Sequence, residues 1–240
     1  MTLLKACNLH KSYLGKRIVN NLSFAVRQGE VVGLLGPNGA GKTTAFHMTI
    51  GLVRPKKGRI FFLQRDVTSF PIHRRATMGM GYLPQEPSVF RRLTVAQNIM
   101  CILETLPIGH KERKRRLTEL LDELNLSPLA DEKAVTLSGG ERRRLEVTRA
   151  LVTNPSLLLL DEPFANIDPI TVGDVKHMVR HLRDKGISVL ITDHNAREVS
   201  SVTDRNYLIR EGQVTLEGTS EELIGNKDAQ ATYFGDNFRL

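Results

Sequence analysis

Gly36-Pro37-Asn38-Gly39-Ala40-Gly41-Lys42-Thr43 decides the reading of this chain. An apolar run, Val31-Val32-Gly33-Leu34-Leu35, precedes it and reads as a buried strand; Thr44 to Leu52 can start a helix. Strand, glycine-rich loop and helix in that order make a phosphate cradle, because the loop points successive backbone N–H groups and a helix N-terminus at phosphate oxygens. Lys42 can reach the β and γ phosphates as a point charge, and the Thr43 hydroxyl can ligate Mg²⁺. Gly36 through Thr44 are therefore the expected ATP-binding residues. An ordinary glycine-rich turn would leave the Lys-Thr pair unexplained.

Downstream, Leu157-Leu158-Leu159-Leu160-Asp161-Glu162-Pro163 suits a central parallel strand covered on both faces. Two carboxylates are costly inside a core but useful at a strand's C-terminal edge, where open α/β sheets bind ligands. Asp161 would hold Mg²⁺ and Glu162 would orient the water that attacks the γ-phosphate. Helix capping is the competing use of such a pair, but Asp168-Pro169 places the next cap later.

Leu137-Ser138-Gly139-Gly140-Glu141-Arg142 lies about twenty residues before that strand. Alone it is a flexible turn or an N-cap. With the other motifs, the order resembles the nucleotide-binding domain of ABC ATPases, whose signature is this LSGGE. The resemblance implies a P-loop NTPase (RecA-like) α/β core, an N-terminal antiparallel β-subdomain and an inserted α-helical subdomain. It assigns Gln85 to the glutamine loop, as a catalytic and Mg²⁺-contacting residue, and His194, after the apolar strand Ile187 to Thr192, to the switch histidine. Asp168 falls in the loop that meets a second copy, and Tyr13 falls where the family stacks an aromatic ring on adenine. Asn166 departs from the small residue expected there. In this family Ser138, Gly139, Gly140 and Glu141 face the ATP of a second copy, so a head-to-tail homodimer is implied.

The chain has 240 residues, enough for one large α/β domain, and no internal repeat. Its longest apolar runs fall far short of a bilayer span, and the first residues carry no signal-peptide run. Cys7 and Cys101 have neither metal-site spacing nor the look of a disulfide framework, so a reducing cytosol is expected. With 34 basic and 26 acidic residues the net charge is +8, but Trp is absent and the basic clusters lack interleaved aromatics, which argues against direct nucleic-acid binding. Solvated helix faces account for most of that charge, and some of it suits the anionic surface of an inner membrane.

Residues 2–9 and 18–27 read as strands of the antiparallel sheet, 59–63 and 78–83 as further strands, and 207–210 with 214–216 as a closing hairpin. Ile99, Leu103 and Leu106 form one helical face, and Leu117, Leu120, Leu121 and Leu124 another. The expected division is a core at 1–88 and 155–240, with a helical subdomain at about 89–154. Within the family, the passages at 81–91, 137–144, 191–198 and Tyr233–Leu240 are similar to the ATPases of lipopolysaccharide-export transporters. Branched-chain amino-acid importer ATPases and soluble assembly ATPases are the alternatives. A transport role implies two permease subunits, docked at Phe90, Arg91 and Arg92, and a peripheral position on the cytoplasmic face of the inner membrane.

Overall fold

The computed structural model describes residues 1–165, 167–226 and 229. Asn166 and the stretch Tyr233–Leu240 lie outside the described residues. Two long strands come first, β1 (Thr2–Tyr13) and β2 (Lys16–Arg27). β1 runs past the expected residue 9 because Lys11, Ser12 and Tyr13 keep their pairing with Val19, Arg17 and Lys16. β3 (Val31–Leu35) leads through the loop into α1 (Lys42–Ile50), which begins at Lys42 rather than Thr44. Gly41 makes that start possible: its φ is 99°, and a Cβ there would sit 2.6 Å from the Ile18 carbonyl oxygen.

β4 (Lys57–Phe62), β5 (Arg65–Asp66), α2 (Ile72–Thr77) and β6 (Met80–Leu83) follow. Then come α3 (Val95–Leu103), α4 (His110–Glu123), α5 (Gly139–Leu151) and β7 (Leu157–Asp161). The chain continues through α6 (Pro169–Asp184), β8 (Ser188–Thr192), α7 (Ala196–Ser200), β9 (Arg205–Arg210), β10 (Gln213–Gly218) and α8 (Ser220–Gly225). Capping boxes fix the starts of α3 (Thr94 with Gln97) and α5 (Ser138 with Glu141). Among the described residues no helix is long and apolar enough to cross a membrane.

One sheet is antiparallel, in the order β2-β1-β4-β5. The other has the order β10-β9-β3-β8-β7-β6, parallel from β9 to β6, with β10 antiparallel on the edge. Strand alternation splits the core into two layers. Leu157 and Leu159 face the layer under the antiparallel sheet, which also holds Phe46 and Met48 of α1; Leu158 and Leu160 face the layer with Ile99, Leu121, Leu145 and Val179. This is the α/β P-loop architecture expected from the sequence. It puts the C-terminal ends of β3, β8 and β7 side by side.

α2 was not foreseen, and it carries an unusual side chain. Arg75 is 1% exposed and makes no salt bridge among the described residues. Its guanidinium donates to Phe70 O (2.9 Å), Met48 O (2.8 Å), Thr49 O (2.5 Å) and Thr68 O (3.2 Å). The amides of Gly51, Leu52 and Val53 all converge on His47 O, so Arg75 satisfies the two carbonyls that follow it in α1. Burial pushes this guanidinium down to about 10, so it stays charged at neutral pH.

Candidate active site

The loop after β3 is closed by its own lysine. Lys42 is 5% exposed, and its Nζ donates to Gly36 O at 2.6 Å and Pro37 O at 3.1 Å. Burial pushes the ammonium pKa down, and Glu162, Asp193 and Asp161 oppose that shift. The cation therefore feels three carboxylates: Asp161 at the end of β7, Glu162 just after it and Asp193 just after β8.

Asp161 ends β7 and is buried; its Oδ1 accepts from Thr192 Oγ1 at 2.7 Å, and His47 Nε2 lies 3.6 Å from its Oδ2. Burial pushes its pKa up, with the Thr192 hydroxyl and His47 working in the other direction. Glu162 has φ 46°, in the left-handed region, and its amide donates to Thr192 O at 2.7 Å. This turn takes the carboxylate out of the strand direction, toward Gln85 and His194. Gln85 Nε2 donates to Glu162 Oε2 at 2.8 Å, and His194 Nδ1 lies 3.7 Å from the same oxygen. Gln85, Glu162 and His194, widely separated in sequence, thus meet at one point.

Asp193 is fully buried and accepts from the amides of Phe164 (2.9 Å) and Asn195 (2.9 Å). It pins the turn after Glu162 to the residues around His194. Neither Thr192, Asp193 nor His47 had been assigned a role from sequence. The link between Asp161 and Thr192 depends on β7 and β8 being neighbours, with Asp161 opposite Thr192 in register, and no local motif reports that.

For Mg²⁺, the Asp161 carboxylate at the end of β7, the Thr43 hydroxyl in the first turn of α1 and the Gln85 side-chain carbonyl, whose amide nitrogen is engaged by Glu162, would offer oxygen ligands of the kind that ion takes. A cavity of about 450 Å³ opens beside Gln85 and Glu162 and reaches Gly139, Arg142 and Arg143 of α5.

Apart from Gly139, which lines that cavity, the remaining predicted residues are engaged locally or exposed. Ser138 caps α5: its hydroxyl accepts from Glu141 N at 3.3 Å, and its own amide donates to Glu141 Oε2 at 2.8 Å. Glu141 is thereby engaged within its own helix, and the Ser138 amide holds its carboxylate below the usual range. Asp168 caps α6, accepting from the amides of Ile170 (3.0 Å) and Thr171 (3.1 Å) and from Thr171 Oγ1 (2.6 Å). Tyr13 ends β1 45% exposed, with Lys11 Nζ 5.3 Å from its ring centre. Phe90 is 50% exposed, and the Arg149 guanidinium lies 4.7 Å from its ring centre. Beside it Arg91 and Arg92 line an open groove with Lys133 and Val135.

The family model described as ABC transporter matches residues 19–165. Across 99% of both chains, this sequence is 52% identical to the lipopolysaccharide export system ATP-binding protein LptB of Acidithiobacillus ferridurans. It is 47% identical, over 100% of both, to the protein of that name in Escherichia coli (strain K12). An uncharacterized ABC transporter ATP-binding protein of Rhizobium meliloti is 52% identical over 99% of this chain and 88% of its own. Among solved structures, the ADP conformation of MJ1267, an ATP-binding cassette of an ABC transporter, is similar with a TM-score of 0.86 at 28% identity, over 98% of this chain and all of that one. The cbiO1 protein of Clostridium perfringens, part of an ABC transporter complex, is similar with a TM-score of 0.87 at 27% identity, over 96% of this chain and 93% of its own.

Proposed function

The chain belongs to the ABC transporter family, and from that premise we propose that two copies bind ATP between them and hydrolyse it to drive lipopolysaccharide export. The observation that carries the hydrolytic part is the meeting of Gln85, Glu162 and His194, with Lys42 close enough to feel the same carboxylate.

In this reading the loop amides and Lys42 hold the β and γ phosphates, and Tyr13 stacks on adenine. Glu162 accepts a proton from the attacking water, which adds to the γ-phosphorus as the bond to ADP breaks. Gln85 and His194 fix the position of that carboxylate and of the water. Thr43, Asp161 and Gln85 would hold Mg²⁺, which would supply charge neutralisation at the phosphate oxygens. Inorganic phosphate and ADP are the products.

One copy offers only half of the phosphate's surroundings. The capped N-terminus of α5, with Ser138 and Gly139 exposed and Gly140 buried behind them, offers hydroxyl and amide donors that would meet the γ-phosphate held by a second copy. Asp168, at the neighbouring N-terminus of α6, lies in the same contact. A head-to-tail homodimer with two ATP sites follows. Lipopolysaccharide as cargo is supported by the names of the relatives from A. ferridurans and E. coli. Two permease subunits would carry it, engaging the exposed face of Phe90, Arg91 and Arg92 and holding the ATPase on the cytoplasmic side of the inner membrane.

The test is Glu162→Gln. This variant keeps the phosphate cradle, so it should bind MgATP and accumulate as a dimer in sedimentation while turnover falls by about 10² or more. Near-normal hydrolysis would remove Glu162 from the proton-accepting role. Co-purification of the native chain with importer-type permeases would overturn the export assignment.

A further inference from the structure

The first two turns of α6 lie against the first turn of α5. A Cβ at Gly140 would come within 2.8 Å of Asp174 Oδ2, and one at Gly139 would lie 3.9 Å from Thr171 Oγ1. Three carboxylates stand around this junction, and two are already committed. Glu141 accepts from the Ser138 amide, and Asp168 accepts from the Ile170 and Thr171 amides and the Thr171 hydroxyl. Asp174 is exposed and makes no hydrogen bond or ion pair among the described residues. Its Oδ2 rests on Gly140, where no side chain shields it from the opening amides of α5.

Those amides lack acceptors within the helix, so the turn is electropositive and favours a nearby anion. A carboxylate placed there also lowers the potential available to any second anion arriving at the same turn. Because it sits on α6 rather than α5, it acts without occupying the amides themselves.

We infer that Asp174 sets the ATP concentration at which two copies close, by opposing the γ-phosphate that one copy brings to Ser138 and Gly140 of the other. This rests on the composite-site reading above and adds to it a residue that tunes closure rather than chemistry. A methyl group at 140 would push this carboxylate aside.

The experiment uses the full chain carrying Glu162→Gln, so that nucleotide is not consumed, and follows dimer formation by sedimentation velocity as MgATP is raised. Adding Asp174→Asn should lower the midpoint about threefold for each site, the size of a single charge at a helix terminus. That gain should shrink as salt rises from about 50 mM to about 500 mM. Asp174→Glu retains the charge and should keep a midpoint near that of the parent. A parent that dimerises with an Asp174→Asn midpoint unchanged or raised overturns the inference alone. A parent that stays monomeric at saturating MgATP overturns the composite site, and the inference falls with it.

Discussion

Replacing Arg75 by Met should cost the protein about 3 kcal/mol and loosen its hold on ATP. The substitution keeps an apolar stem of similar length in the buried channel but removes the donors to four carbonyls, those of Met48, Thr49, Phe70 and Thr68. At about 1 kcal/mol for each carbonyl left without its partner, the loss is roughly 4 kcal/mol. Taking a charge out of the interior returns part of this, which leaves a net of about 3 kcal/mol. For a chain of this size that corresponds to a fall in Tm of about 6–12 °C. Urea unfolding followed by far-ultraviolet dichroism gives the free energy directly. Two of the four carbonyls belong to the last turn of α1, whose first residue is Lys42, so KM for ATP should rise by more than kcat falls. Arg75→Lys should recover less than half of the stability, because one ammonium cannot span four acceptors lying around a planar fork. A loss below about 1 kcal/mol with unchanged KM would refute the claim that Arg75 supports the loop helix.

Lys42→Ala should weaken ATP binding by a single copy, measured by fluorescent-nucleotide titration, whereas Ser138→Arg should leave that binding intact and block dimer formation; equal losses in both would argue against a composite site. Phe90→Ala removes a half-exposed ring and should leave fold and basal hydrolysis intact. It should cost about 2 kcal/mol or more of docking energy in permease co-purification, and normal assembly would take Phe90 out of the interface. Asp161→Asn should abolish hydrolysis yet raise the melting temperature in EDTA at neutral pH. The sign follows from burial, which holds the Asp161 pKa above that of the unfolded chain. The native state therefore takes up this proton first as pH falls, so ionised Asp161 opposes folding above its folded pKa and does so less as pH drops through it. The stabilising effect of the Asn variant should accordingly shrink on acidification; a variant that melts lower than the parent at neutral pH would reverse this account.

The strands around the centre were legible because each needs apolar side chains on both faces, and the runs in Val31–Leu35, Leu157–Leu160 and Val189–Ile191 supply them, with Gly33 alone lacking one. The residues at their ends could be named for the same reason, since a carboxylate after four leucines has no use in a core. What escaped were features set by neighbours distant in sequence. Thr192 meets Asp161 only through strand register, and Asp193 is legible as a brace only once Phe164 is known to face it. Arg75 reads as one more surface cation in a His-Arg-Arg run until the end of α1 is placed beside it. Glu141 shows the opposite case: the Ser-Gly-Gly-Glu spacing is a capping box in its own right, and the structure uses it as one.

Lys42 carries one more implication. An ammonium has three protons, and here two already point at Gly36 O and Pro37 O. Nucleotide therefore meets a clasp that is already shut and needs only the third proton turned toward it. The same nitrogen holds the curvature of the loop through these two carbonyls and supplies its charge. A guanidinium would keep the positive charge but, being flat and wide, would force the carbonyls apart, and a neutral amine mimic would keep the clasp but surrender the attraction. Shape and affinity at this position are inherited together, through a single atom.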